Sequence, residues 1–328
     1  MKTDFRDFAG KIAESNGLGL MVPAIEKEII HHEIIQSLDR HGLLDSLSFQ
    51  GGTCLRLCYG SSRYSEDLDF TAGESFDSLD LDAFGEALGK DLMAAYDVEV
   101  RVRKPSFVKD FDGVGMRRWT VKVDIAPERP DLPSQRIKLE IASVPSHTSS
   151  MRQVAANYPG LPRSYSETLV KCQSLEEILA DKLISFSATR KYIRHRDLWD
   201  IPWICSTPFF DFGEVSPLVF AKHADYKCPD PLAMMLAEGK VRASAVVESP
   251  EFEAQMMRFL PADVFDRTVG NEGYRGLMLS RVVEAYDLVA EQLGLKPEVD
   301  RHAVDTARSI AGMISAQRWD AEDVHKVI

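Results

Sequence analysis

A glycine pair and a pair of aspartates, close together in sequence, set the tightest limits on how this chain folds. Gly51-Gly52-Thr53 follows a short alternating stretch, Leu47-Ser48-Phe49, and fourteen residues after Thr53 comes Asp67-Leu68-Asp69. Glycine has no Cβ, so Gly51-Gly52 predicts a tight strand-to-helix turn whose backbone can closely approach another group. Thr53 to Tyr59 reads as a short helix, and the N–H groups of a helix's first turn face outward without intrahelical partners. Asp67-Leu68-Asp69-Phe70-Thr71 alternates polar and apolar, and on a strand residues i and i+2 share a face. Asp67 and Asp69 are therefore expected side by side, with Leu68 and Phe70 turned to a core. Two carboxylates that close repel, so either one takes up a proton or a divalent cation lies between them and a substrate. Mg²⁺ suits the second case, because it accepts one or two carboxylates together with phosphate oxygens. The plainer alternative is an exposed edge strand with two solvated aspartates behind an ordinary Gly-Gly turn.

The order of periodicities frames this pair. Ile25, Ile29, Ile30, Ile34, Ile35 and Leu38 recur at helical spacing, and Gly42 ends that helix. Residues 80–95 suit another helix, and strand-like segments follow at 98–103, 117–125 and 136–142. Mixed strands and helices up to about residue 145 predict an α+β unit. From Ser174 the pattern turns helical. Ser174 with Glu177 forms a capping box that opens a helix to about Arg190, Asp230-Pro231 supplies N-cap and N1 of another, and a third spans 277–293. Pro145, Pro159, Gly160 and Pro162 interrupt regular structure, which predicts the connection between the halves within 145–165. The expected domains are 1–165, α+β, and 166–328, all helical.

Composition narrows the function classes. No apolar run approaches the roughly 18 residues needed to cross a bilayer, and the N-terminus alternates charge instead of building a signal-peptide core. A cytoplasmic chain with no membrane partner is expected. The five cysteines, Cys54, Cys58, Cys172, Cys205 and Cys228, are scattered and contain no Cys-x-x-Cys pair, the pattern of a reduced compartment without a zinc site. A net charge of −12 argues against non-specific coating of nucleic acid. The charge is segregated, however: 101–122 holds seven basic residues (Arg101, Arg103, Lys104, Lys109, Arg117, Arg118, Lys122) against two acidic, and 183–196 adds Arg190, Lys191, Arg194 and Arg196 with no acid. These islands are either solvated faces or tracks for a phosphate backbone.

One charge stands out in the helical part. Leu175, Ile178, Leu179, Leu183 and Phe186 form an apolar stripe, and Lys182 falls within it. A lysine there either snorkels to solvent or reaches a cleft to meet a phosphate or carboxylate. Fifteen residues on, Asp197 and Asp200 are i, i+3 neighbours, placed as a helix-start cap, a site for Lys182 or a proton acceptor. His31-His32-Glu33 is less telling: adjacent helical histidines point about 100° apart, and a surface or satisfied role is expected.

In order, Ile25-Glu26-Lys27-Glu28, Gly51-Gly52-Thr53-Cys54-Leu55, Arg63-Tyr64-Ser65-Glu66-Asp67-Leu68-Asp69-Phe70, Ile137-Lys138-Leu139-Glu140-Ile141, Glu177-Ile178-Leu179-Ala180-Asp181-Lys182-Leu183 and Arg196-Asp197-Leu198-Trp199-Asp200 resemble the successive motifs of the AbiEii/AbiGii toxin family. These are nucleotidyltransferase-like proteins of bacterial toxin–antitoxin and phage-defence loci, and they include the MenT toxins. The resemblance covers roughly residues 25–201 and rests on the order and spacing of several motifs. Tyr64, often Phe in the family, and Trp199, often Tyr, are mild departures.

The resemblance implies a polymerase-β-like nucleotidyltransferase core, a mixed sheet with flanking helices, followed by an all-helical domain that contributes Lys182 and Asp197 to the cleft. It places Gly51, Gly52, Thr53 and Ser65 on the nucleotide and Asp67 and Asp69 on Mg²⁺ or Mn²⁺. Glu140 is the third acidic position, with Asp124 in reserve because two strands compete for that motif. Lys182 would contact the nucleotide phosphates, and Asp197 would be an essential acid near the acceptor, with a general-base role open to it. The implied reaction moves a nucleoside monophosphate from an NTP to an acceptor hydroxyl with release of pyrophosphate, which inhibits translation or growth. The implied acceptor is the 3′ end of tRNA, tracked by islands 101–122 and 183–196, and a cognate antitoxin is the expected partner. Transfer to a protein or small molecule is the alternative within enzymes, and a non-catalytic nucleotide- or protein-binding module is the alternative outside them.

Overall fold

A computed structural model of the protein describes residues 4–78, 84–96, 98–110, 114–125 and 133–295. The chain divides into two compact units, one running to Ser174 and including Phe259–Pro261, the other made of Leu175–Arg258 and the described residues from Ala262 onward.

The first unit is α+β, as its periodicities predict. Seven strands form one mixed sheet: β1 (Ser48–Gln50), β2 (Leu68–Thr71), β3 (Glu99–Asp110), β4 (Val114–Asp124), β5 (Gln135–Ala142), β6 (Ser150–Gln153) and β7 (Leu169–Cys172), in the order β3-β4-β5-β2-β1-β7-β6. β2 pairs parallel with β5 and β1 parallel with β7, and the remaining pairs are antiparallel. Leu68 is level with Leu139 and Phe70 with Ile141, and on the same face Leu139 and Ile137 are level with Trp119 and Val121. All six are buried. Phe49 of β1 stacks on Phe70 with ring centroids 4.8 Å apart.

The helix α2 (Val22–Arg40) covers this apolar face, since Glu26 accepts a 2.6 Å hydrogen bond from Gln135, which shares the face with Ile137. α2 keeps its isoleucines at 0–1% exposure but is buried on its polar sides too. His31 Nε2 lies 3.0 Å from the Glu66 carbonyl, and His32 stacks on Tyr165 at 4.5 Å. Glu28 pairs with Arg56 at 2.9 Å, and Arg56 in turn lies 4.3 Å above the Tyr64 ring. Both histidines are thus core residues, His31 hydrogen-bonded and His32 held by its stack on Tyr165, with its Nε2 buried without a hydrogen-bond partner. Burial disfavours their charged forms and pulls His31 down to about 4 and His32 to about 3.

The stretch 145–165 differs from its expectation as a connection. Its proline and glycine breaks lie at its ends, while Ser150–Gln153 between them is free of both and forms β6, the edge strand paired to β7. The helix expected over 80–95 is α4 (Phe84–Ala95), and residues 79–83 lie outside the described residues.

The second unit is helical: α5 (Leu175–Ala188), α6 (His195–Cys205), α7 (Val215–Asp225), α8 (Leu232–Val247), α9 (Pro250–Met257), α10 (Ala262–Arg267) and α11 (Glu272–Gln292). α8 begins one residue later than Asp230-Pro231 predicts. Pro231 is its N-cap, and Asp230 spends its carboxylate on Arg190 at 3.4 Å and its carbonyl on His223. Residues 296–328, the end of the expected helical domain, lie outside the described residues. No described helix is long and apolar enough to cross a membrane.

Candidate active site

The opposite face of the sheet is polar. Asp69 and Glu140 are register partners on the parallel strands β2 and β5, and Glu140 is level with Arg118 on β4. Gln50, the residue before the glycine turn, is level with Asp69 on its other side. Asp67 precedes the first residue of β2 and is turned toward β5, where its Oδ1 accepts the Lys138 backbone N–H at 3.1 Å and its Oδ2 lies 3.6 Å from Lys138 Nζ. Glu140 accepts from Arg118 Nε at 2.5 Å. Three acids on one face are held apart by turning two of them toward cations, the expected response of like charges.

The helix α3 (Gly51–Tyr59) starts beside these acids. Gly51 has φ +76°, and a Cβ there would lie 2.5 Å from Asp69 Oδ2, so glycine is required twice over. A Cβ on Gly52 would meet the Arg63 guanidinium and lie 2.9 Å from Ser65 Oγ. Thr53 donates its hydroxyl to the Asp67 carbonyl, tying the start of α3 to the start of β2. Gly51, Gly52, Thr53, Ser65, Asp67, Asp69 and Glu140 therefore share one neighbourhood. Asp124, the reserve acid, does not: it ends β4 level with Glu99, six residues along the strand from Arg118. Arg63, buried at 2% exposure, is the residue that sequence reasoning missed. Its only sequence signal was its position in the motif before Ser65.

The donor set of Asp67, Asp69 and Glu140 is all carboxylate oxygen, hard chemistry that suits Mg²⁺ or Mn²⁺. The absent Gly51 side chain lets Asp69 Oδ2 lie close against the start of α3. As a donor set the residues fit a divalent cation.

In the second unit, Lys182 does not snorkel. Its Nζ lies 3.0 Å from Asp197 Oδ1 and 2.6 Å from Asp200 Oδ2, and all three side chains are buried. The i, i+3 spacing on α6 places both carboxylates on one side, where they grip the ammonium. Asp197 also accepts from Arg194 Nε. Burial alone would raise the Asp197 carboxyl, but the Arg194 guanidinium and the Lys182 ammonium outweigh it and hold the group well below the usual carboxylate range. A carboxylate so weakly basic is a poor proton acceptor. A second buried network lies nearby on α5: Glu177 takes Lys222 at 2.7 Å, and Asp181 accepts from Tyr226 at 2.7 Å.

A family model described as nucleotidyl transferase AbiEii toxin, type IV TA system, matches residues 33–283. The chain belongs to that family. Among solved structures it is similar to MenT4, a nucleotidyltransferase toxin from Mycobacterium tuberculosis H37Rv, at a TM-score of 0.56 and 18% identity over 96% of this chain and 99% of that one. It also matches JHP933 from Helicobacter pylori, at a TM-score of 0.44 and 18% identity over 87% of this chain and 97% of that one. The likeness to MenT4 shows a shared fold, a mixed sheet with flanking helices followed by helices. A search of the curated proteins finds no match.

As an AbiEii-family chain, the protein was expected to present two basic islands to RNA, and much of that charge is engaged internally. Arg118 pairs with Glu140, Arg101 with Glu99 at 2.7 Å, and Arg117 lies 4.5 Å over the Phe76 ring. Arg190 pairs with Glu238 and Asp230, and Arg194 with Asp197. The side chains of Lys104 and Lys109 lie outside the described residues.

Proposed function

We propose that this AbiEii-family protein transfers a nucleoside monophosphate from an NTP to an acceptor hydroxyl at the 3′ end of tRNA. The observation that carries the reading is the Asp69–Glu140 pair, level on adjacent parallel strands beside the glycine-cleared start of α3. In the proposed reaction the acceptor oxygen attacks the α-phosphorus, the bond to the bridging oxygen of the β-phosphate breaks, and pyrophosphate leaves. Asp67 and Asp69, with Glu140 as third acid, would hold Mg²⁺ or Mn²⁺. When bound, that cation supplies Lewis-acid polarisation of the phosphoryl oxygens. The outward N–H groups at Gly51, Gly52 and Thr53 are suited to phosphate oxygens, and Ser65 beside Gly52 can donate to the same group. Arg63 adds fixed positive charge beneath the turn.

Lys182 is proposed to contact the nucleotide phosphates, with Asp197 and Asp200 as the residues that hold its ammonium extended. Two short ion pairs, with Lys182 and with Arg194, favour this positioning role for Asp197 over the general-base role. The tRNA acceptor rests on the family resemblance and on the exposed parts of the basic islands. A cognate antitoxin follows from the family's type IV toxin–antitoxin setting.

The test is incubation of purified protein with each labelled NTP, Mg²⁺ and total RNA, with Asp67→Asn as control, resolved on a denaturing gel. Label in RNA of tRNA size with the unsubstituted protein alone is expected. Label on protein or small molecules instead moves the acceptor to those classes, and no incorporation on any acceptor favours a binding module.

A further inference from the structure

Three of the five cysteines, scattered in sequence and unused by the proposed reaction, meet in the first unit. Cys54 and Cys58 are i, i+4 neighbours on α3 and project from one side of it. Cys172 ends β7 level with Phe49 of β1. The three sulfurs lie within 4.8 Å of one another, and none of the three cysteines is in a disulfide. Among the described residues this is the one group of three or more Cys, His, Asp or Glu side chains whose donor atoms come so close.

The geometry is that of a ligand set. A sulfur–metal bond of about 2.3 Å places two sulfurs on one cation roughly 3.8–4.0 Å apart, so the triangle needs to contract by less than about 1 Å on a side. Cys54 and Cys172 are fully buried and Cys58 is half-buried, which leaves the triangle one partly open side. Arg152 of β6 lies 3.9 Å over the Tyr59 ring, next along α3 from Cys58. Within the triad, hydrogen bonds from the Cys54 and Cys58 thiols pull the Cys172 thiol down, and burial pushes the Cys54 thiol up. Sulfur donors select soft cations over Mg²⁺, so this set does not compete with the carboxylates for the same ion.

We propose that Cys54, Cys58 and Cys172 form a binding site for a soft thiophilic d¹⁰ cation, Cu⁺ or Zn²⁺, held by three sulfurs. Binding releases the remaining thiol protons and leaves the metal's oxidation state unchanged. The cation would clamp α3 to β7. Because α3 opens with Gly51 and Gly52, the clamp also braces the glycine turn. The site stands independently of nucleotidyl transfer.

The test titrates the fully reduced full-length chain with Zn²⁺ and, anaerobically, with Cu⁺ against a coloured chelator, and follows the thermal midpoint in parallel. Cys58→Ser and Cys172→Ser are the variants, and Cys205→Ser/Cys228→Ser is the control. Uptake of one equivalent of either cation is expected, with a midpoint raised by several degrees in the parent and control. Affinity should drop at least tenfold in Cys58→Ser, whose half-buried position makes folding tolerant of the change. No uptake by a chain whose thiols are verified as reduced overturns the proposal, as does undiminished uptake by both single variants.

Discussion

A Cβ on Gly51 would lie 2.5 Å from Oδ2 of Asp69, so the side chain that Gly51 lacks and the carboxylate that Asp69 presents claim the same space. The glycine motif and the aspartate motif are thus one structural unit, joined again by the Thr53 hydroxyl on the Asp67 carbonyl.

Gly51→Ala is expected to destabilise the protein through two separable effects. The left-handed backbone at φ +76° costs an alanine about 1–2 kcal/mol, and the contact with Asp69 adds to it. Urea denaturation of Gly51→Ala, Asp69→Ala and the double variant separates them. In the double variant the contact part should vanish and the backbone part remain; equal losses in both backgrounds would show that the contact relaxes without cost.

Asp67→Asn and Asp69→Asn should each reduce transfer by about 10²-fold or more, in line with losing a preorganised charged group at the reacting phosphate. The thermal midpoint should stay level or rise, because removing one like charge from the polar face relieves repulsion. Pyrophosphate release and a melting curve on the same preparations check this. A large fall in melting temperature instead would assign the aspartates to folding.

Lys182→Met removes the ammonium that Asp197 and Asp200 share while Arg194 stays on Asp197, and should cost up to about 3–5 kcal/mol. Adding Asp197→Asn and Asp200→Asn should return part of that loss without returning turnover, which distinguishes a role on substrate from a purely structural one. The pH dependence follows from Asp197, whose carboxyl lies below its ordinary value in the folded state. Its stabilisation is complete above the unfolded value of about 3.9 and is lost as pH falls below it. Urea midpoints between pH 3 and 6 should fall toward the acid end in the parent, and less steeply in Asp197→Asn.

His31 and His32 are neutral in the fold at pH values where the unfolded chain protonates them. With folded values of about 4 and about 3, their contribution is present above about pH 6.5 and declines as pH drops below that. The slope reaches about 1.4 kcal/mol per pH unit for each histidine. His32→Phe keeps the stack on Tyr165 and removes one titrating group, so stability between pH 4 and 6 should depend on pH less steeply by about one proton. An unchanged slope would show that His32 takes up its proton within the fold.

The sequence by itself determined the elements and their order. Ile25 through Leu38 specify α2 because helical spacing is a local property, and the alternation of Leu68 to Thr71 and of Ile137 to Ile141 specifies strands for the same reason. The family was also legible, since its motifs are short runs in a fixed order. Only the tertiary structure decided which distant residues meet. The β2–β5 register sets Glu140 level with Asp69 and leaves Asp124 at the far end of β4, a choice two candidate strands could not settle alone. Packing of α6 against α5 turned a lysine in an apolar stripe into an ammonium gripped by Asp197 and Asp200. The β1–β7 pairing brought Cys172 to Cys54 and Cys58 across more than a hundred residues, a meeting that their scattered spacing, with no Cys-x-x-Cys pair, does not announce. Periodicity reports which way a side chain faces along its own element, whereas register and helix packing are fixed by burial summed over the whole core, and no local window contains that sum.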